Sequence, residues 1–249
     1  MTVSRWTKLT RKLFRPKQIQ NGSVRIDMRE WTSTKQARDL YYDRHEASER
    51  QIIEQRLRPD DIVLELGSGM GIVTITCCQI TGSDRVHTFE ANPQMEPTLR
   101  RNFELNGVTP HLRMAMISST AGTEEFHVSD KFLLSSRYES AAQASRAKSE
   151  CTTVPTVSLQ QVLKQIRPTF LVVDIEGGEL ELLAPEVDLA SVERICIEVH
   201  PAIIGDEQSG RLIENLIQRG FWLSLNWSNG IVLYFERRSQ ADNSQRQAA

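Results

Sequence analysis

One short stretch, Asp61 to Thr74, constrains this chain more than any other: Asp-Ile-Val-Leu-Glu-Leu-Gly-Ser-Gly-Met-Gly-Ile-Val-Thr. Ile62 to Leu66 predicts a short buried strand, because its residues are apolar or β-branched except Glu65. Gly67, Gly69 and Gly71 then permit a tight turn and let a ligand approach backbone that any Cβ would shield. A helix is expected to open at Ile72, with its first amide donors facing the crevice at the strand's carboxyl end. That arrangement describes a nucleotide site. A dinucleotide fingerprint requires Gly-x-Gly-x-x-Gly, whereas position 72 is Ile and the third glycine comes one residue early. Glu65, one residue before the strand ends, is placed to face a cationic ligand.

The rest of the chain alternates. Helices are expected over 34–57, 93–106, 159–166, 179–183 and 208–219, and strands over 85–90, 112–118, 125–128, 169–175 and 192–199. A closing hairpin is expected from 221–225 and 231–235, around Trp227-Ser228-Asn229-Gly230. This order predicts an α/β fold, with a mostly parallel sheet, helices on both faces and a terminal antiparallel hairpin at the sheet edge. Residues 129–150 are polar and rich in Ser and Ala, and read as a mobile loop or lid. The expected organisation is a basic arm over 1–33, one domain over 34–236 and a disordered tail over 237–249.

At 249 residues the chain can bury one large core. A net charge of −2 gives no general pull toward nucleic acid. The arm is different: Arg5, Lys8, Arg11, Lys12, Arg15 and Lys17 occur with no acid among residues 1–18, and Trp6, Leu9 and Leu13 can share one side of a helix. It suits either peripheral contact with an anionic membrane or packing on the domain or a neighbouring copy. Cys77, Cys78, Cys151 and Cys196 lack metal-ligand spacing and predict reduced thiols in a cytoplasmic protein. No apolar run approaches the length of a membrane span.

Three further stretches carry chemistry. Glu90 closes the second expected strand, 19 residues beyond Gly71, where a carboxylate can accept both hydroxyls of a ribose. Asp174 and Glu176, two apart at the end of an apolar strand before Gly177-Gly178, can point to one side. Buried without a partner they would cost several kcal/mol, so they want solvent, a cation or a proton donor. Glu198 and His200 repeat this spacing on the next strand, and His200 is a candidate general base. Asp174, Glu198 and His200 offer donors to a divalent ion, but no ligand spacing demands a metal.

With Asp-Ile-Glu-Gly-Gly-Glu-Leu-Glu-Leu-Leu and Ile-Cys-Ile-Glu-Val-His-Pro in view, the chain resembles the FkbM family of S-adenosylmethionine-dependent methyltransferases, over roughly Tyr42 to Phe235. The resemblance implies the class I methyltransferase fold, a Rossmann-like seven-stranded sheet, with S-adenosyl-L-methionine as cofactor. It implies that Glu65, Gly67, Gly71 and Glu90 hold the cofactor, with Ser68, Gly69, Ala91, Asn92 and Ala115 beside it and Glu46 reaching the same pocket. It also implies O-methylation of a small-molecule or saccharide acceptor, with Asp174 or His200 as base and Glu176 orienting the acceptor or complementing the sulfonium. The chain departs from the family at Ser68-Gly69, where Ala-Asn is usual, at Met114, where Asn is common, and at Gln160, a frequent acid. Two alternatives are a nicotinamide-dependent oxidoreductase on the same sheet and a non-catalytic module at a membrane surface.

Overall fold

The apolar run that precedes the glycines forms β3, Val63–Leu66, inside the main sheet, and three helices and a hairpin come before it. The computed structural model describes residues 4–29, 35–129 and 149–237. Helix α1 (Arg5–Phe14) is followed by the hairpin β1 (Gln18–Asn21) and β2 (Val24–Asp27), then by α2 (Lys35–Tyr41) and α3 (Ala47–Arg56). After β3 come α4 (Ile72–Thr81), β4 (Val86–Glu90), α5 (Glu96–Asn106), β5 (His111–Met114), β6 (Met116–Ser118) and β7 (Gly122–Ser129). The second half holds β8 (Ser149–Ser158), α6 (Leu159–Ile166), β9 (Phe170–Val173), α7 (Glu179–Leu182), β10 (Arg194–Glu198), α8 (Pro201–Ile204), α9 (Asp206–Gln218), β11 (Phe221–Leu223) and β12 (Val232–Arg237).

Seven strands form the main sheet in the order β11-β12-β10-β9-β3-β4-β5. From β10 to β5 neighbouring strands run parallel, and β12 runs antiparallel to both β10 and β11. The period of two along each strand sends side chains to two cores. Val63, Phe170, Val172 and Cys196 join residues of α3, α4 and α5 on one face. Leu64, Leu66, Leu171, Val173, Ile195 and Ile197 join α6, α7 and α9 on the other. This is the expected α/β architecture, with both faces covered.

Several elements differ from the sequence expectation. The helix expected over 34–57 is two helices, because Asp43 (φ 59°) and Glu46 (φ 50°) take left-handed backbone between them. The strand expected over 112–118 splits at Ala115: β5 pairs with β4 in the main sheet, while β6 pairs with β8 in a separate three-stranded sheet of order β6-β8-β7. Strand β8 has no counterpart among the expected elements, and residues 130–148 of the expected lid lie outside the described residues. The hairpin β1–β2 belongs to the domain rather than to a separate arm, since Ile19, Val24, Ile26 and Met28 are buried in the first core. The Asp27 amide donates to Asn102 Oδ1 at 2.8 Å, which ties this hairpin to α5. Arg237, expected in the tail, lies in β12, its guanidinium donating to the carbonyls of Val192 and Leu189; residues 238–249 lie outside the described residues.

Candidate active site

A cavity of about 550 Å³ opens at the carboxyl ends of the parallel strands, within the size range of small-molecule sites. Gly67, Gly69, Glu90 and Ala91 line one part of it. Phe89, Met95, Ala115, Met116, Ile117 and Phe126 give a mostly apolar wall beside them. Asp174, Glu176, Glu198, Glu46 and Glu49 face the remaining space, with Arg44 and His45 as the cationic or titratable basic lining. The cavity is therefore rich in carboxylates.

The glycine turn works differently from the sequence argument. The amide of Gly67 donates to Phe89 O at 2.9 Å, that of Gly71 to Ser68 O at 2.7 Å, and that of Gly69 to Glu90 Oε2 at 2.9 Å. All three amides are thus engaged within the protein, and the turn serves to seat Glu90. The second carboxylate oxygen of Glu90 accepts from the Asn92 amide at 2.8 Å. Burial pushes Glu90 up to about 7, against the lowering effect of these backbone donors. Gly71 does not line the cavity; a side chain there would meet Phe103 and Leu99.

Glu65, Ser68 and Asn92 also differ from expectation. Glu65 is fully buried away from the cavity, and its Oε2 accepts from Thr74 Oγ1 and Thr88 Oγ1 at 2.5 Å each. Burial pushes it up to about 8, with both hydroxyl donors opposing. Because Glu65 falls on the same side of β3 as Val63, it faces α4 rather than the crevice. Ser68 turns inward, its hydroxyl 2.5 Å from Thr88 Oγ1. Asn92 is buried and its Oδ1 accepts from the Gln94 amide at 3.0 Å, capping a short turn.

The second half of the site gathers on β9 and β10. Asp174 is a third exposed within a cleft dense with protein. Desolvation in that cleft and the nearby Glu198 raise its carboxyl well above the usual range, against the effect of His200. Glu176 takes left-handed backbone (φ 44°) and is pushed up to about 7 by desolvation, with His200 opposing. His200 lies beneath these acids. Its Nδ1 is 2.5 Å from Oε1 of the fully buried Glu179, which also accepts from the Gly177 amide at 3.1 Å. Burial works to lower the imidazole, but the Glu179 bond, Asp174 and Glu176 outweigh it and push His200 up to about 10. The surrounding acids favour the protonated ring, and His200 lies behind Asp174 and Glu176 rather than among the residues that line the cavity.

Sequence reasoning missed Glu49, whose carboxyl bonds Glu198 and is pushed to about 8 mainly by burial. Its spacing of three from Glu46 was the available signal, since that places both on one side of a helix start. Phe126 and Met116 left no such signal, because they arrive from the second sheet.

Residues 73–223 match the model of the Methyltransferase FkbM domain. The chain belongs to the FkbM methyltransferase family. It is accordingly an S-adenosylmethionine-dependent methyltransferase, which removes the nicotinamide oxidoreductase alternative. No curated protein sequence matches this FkbM-family chain. Among solved structures it is similar to the FkbM methyltransferase of Methylobacillus flagellatus KT, at 13% identity and a TM-score of 0.45, covering 80% of this chain and 54% of that one. It is also similar to the ribosomal protein L11 methylase of Lactobacillus delbrueckii subsp. bulgaricus, at 14% identity, TM-score 0.46 and coverages of 77% and 78%. A third likeness is M. jannaschii TYW2 in complex with AdoMet, at 13% identity, TM-score 0.43 and coverages of 89% and 86%.

The residues of this FkbM enzyme fit the cofactor. Glu90 lines the cavity and, among the described residues, pairs with backbone amides rather than with a cationic side chain, so its remaining lone pairs suit ribose hydroxyls. The apolar wall suits a purine, and the surplus of carboxylates suits a sulfonium and an ammonium group. Bound there, S-adenosylmethionine supplies an electrophilic methyl group.

Proposed function

We propose that this enzyme methylates a hydroxyl on a saccharide or other natural-product acceptor. The observation that supports this reading is that Asp174 and Glu176 line the same cavity as Gly67 and Glu90. Asp174, raised well above its usual range by burial, and Glu176, pushed up to about 7, are more basic than isolated exposed carboxylates and so better suited to take a hydroxyl proton. Glu90 would hold the ribose. The engaged glycine turn keeps Glu90 in place before any ligand arrives, which lowers the entropy cost of binding.

The test is methyl transfer from labelled S-adenosylmethionine to a panel of saccharide acceptors, with the product's methylated atom assigned by NMR. Methyl ethers from the wild type, and a loss of about a hundredfold in turnover for Asp174→Asn with cofactor affinity retained, support the reading. Methyl groups found only on nitrogen or carbon remove it.

We also propose that α1 makes peripheral contact with an anionic membrane. Arg11 donates to the carbonyls of Tyr41 and Gln20, so the helix is pinned to the domain by a basic residue. Trp6, Leu13 and Phe14 are each more than 70% exposed, and Leu9 is 56% exposed. No helix among the described residues is long and apolar enough to cross a membrane, so such contact would be at the surface.

A further inference from the structure

The geometry points to a divalent-cation site formed by Asp174, Glu198 and His200 at the carboxyl ends of β9 and β10. Among the described residues these three side chains form a group whose donor atoms all lie within 4.8 Å of one another. His200 Nε2 is 3.6 Å from Asp174 Oδ1 and 3.8 Å from Glu198 Oε1. Those separations are too long for hydrogen bonds and slightly wider than the gaps around one small cation. Ligands at about 2.1–2.4 Å in an octahedral shell stand about 3.0–3.4 Å apart when adjacent. Small rotations of two carboxylates close the difference.

A cluster of acids alone would carry little, but the imidazole adds an independent constraint. The His200 side chain is nine-tenths buried, and its Nε2 stands 3.5–3.8 Å from Asp174, Glu176 and Glu198, within ion-pair reach but at or beyond the limit of a hydrogen bond, so a bound cation would take the place of the proton that these acids otherwise hold on the ring. Its other nitrogen is fixed by Glu179, a carboxylate that is itself wholly buried and anchored by a backbone amide. A carboxylate holding the far nitrogen is the arrangement that orients a metal-ligating histidine and raises its basicity. Glu49 does the equivalent for Glu198 through its bond to that carboxylate. Glu198 at the end of β10 and His200 just beyond it therefore each have a buried partner behind them.

One imidazole with two carboxylates, and Glu176 3.5 Å from the same ring nitrogen, suits a hard cation that tolerates nitrogen, for which Mn²⁺ is the model. The role of the site rests on the O-methylation reading: a hydroxyl bound to the cation gives up its proton more readily, and Glu176 takes that proton. The existence of the site does not rest on it.

The experiment titrates the full-length protein with Mn²⁺ alone, following loss of the free-ion electron paramagnetic resonance signal. Cofactor binding is measured in parallel by calorimetry. The expected result is one Mn²⁺ per chain, at least tenfold weaker in Glu198→Gln and in Glu179→Gln, with thermal unfolding showing that the variants fold. Should Glu198→Gln not fold, Glu179→Gln and Asp174→Asn decide the matter. Absence of Mn²⁺ binding, or equal binding by wild type and the folded variants, overturns the proposal and leaves His200 as an internal counter-charge. Loss of cofactor binding with Mn²⁺ retained would instead count against the cofactor reading, so the two failures are distinguishable.

Discussion

Gly67 and Asp174 are packed backbone to backbone: a Cβ on Gly67 would stand 1.7 Å from the carbonyl oxygen of Asp174. The Asp174 amide in turn donates to Leu66 O at 2.9 Å. The turn that seats Glu90 and the strand end that carries the acids are therefore one rigid piece. Gly67→Ala is expected to destabilise the protein by on the order of 3 kcal/mol or more, because a left-handed residue (φ 89°) gains a side chain with nowhere to go. Gly82→Ala provides the comparison, since Gly82 has a similar φ of 85° and nothing within 4 Å of the point where its Cβ would stand. With ψ 148° Gly82 sits in a region nearly confined to glycine, so Ala there should cost only the backbone strain, about 1–3 kcal/mol. Urea unfolding of both variants checks this, and equal midpoints would show that the contact with Asp174 has no weight.

Glu90 accepts from two backbone amides and still faces the cavity. Replacing it by Ala removes the carboxylate proposed to accept from the ribose hydroxyls and releases the Gly69 amide. Calorimetry should show cofactor affinity falling by on the order of a hundredfold, about 3 kcal/mol. Wild-type affinity in a folded Glu90→Ala protein would place the ribose elsewhere.

Glu65 predicts a pH dependence of stability. Its folded-state pKa is raised to about 8, mainly by burial, above the value of about 4.3 in an unfolded chain. The native state therefore binds the proton more tightly. The stabilisation from holding it is complete below pH about 4.3 and is lost as pH rises through about 8, with a limiting slope of about 1.4 kcal/mol per pH unit. Glu65→Gln keeps the shape and cannot ionise. Its stability relative to wild type should rise steadily between pH 5 and pH 8, read by thermal melts across that range; a constant difference would mean that Glu65 is ionised in the fold already.

What the sequence disclosed and what it withheld follow from the same physics. Strands β3, β9 and β10 are buried on both faces, so they stand out as apolar runs, and the acids that end them stand out by contrast. Glu65 misled because its position in the strand suggested a ligand, while the alternation along β3 turns it under α4. The break between α2 and α3 has no glycine or proline to announce it, since Asp43 and Glu46 adopt left-handed backbone themselves. The change of sheet at Ala115 depends on pairing with β8, some forty residues later, which no local pattern contains. By contrast, the hairpin β1–β2 had a readable sign: Gly22-Ser23 joins Ile-Gln-Asn to Val-Arg-Ile as a two-residue turn, and Gly22 takes φ 61°.

The arm offers the last prediction. Trp6, Leu9, Leu13 and Phe14 are exposed on a helix whose first turn is capped by Ser4, with the Thr7 amide donating at 3.1 Å to the Ser4 hydroxyl. Leaving such residues in water forgoes about 1.5–3 kcal/mol for each large side chain, so an apolar surface is the favourable place for them. The surrounding cations add about 1 kcal/mol each near anionic lipid, an effect that salt screens. Full-length protein should float with vesicles containing phosphatidylserine, and float less at high salt. A variant carrying Trp6→Ser, Leu13→Ser and Phe14→Ser should lose most of that binding while keeping its melting temperature, because none of the three is buried. Equal flotation of the variant, or none for the wild type, would assign α1 to another partner, and self-association of the wild type by sedimentation would then identify a second copy of the chain as that partner.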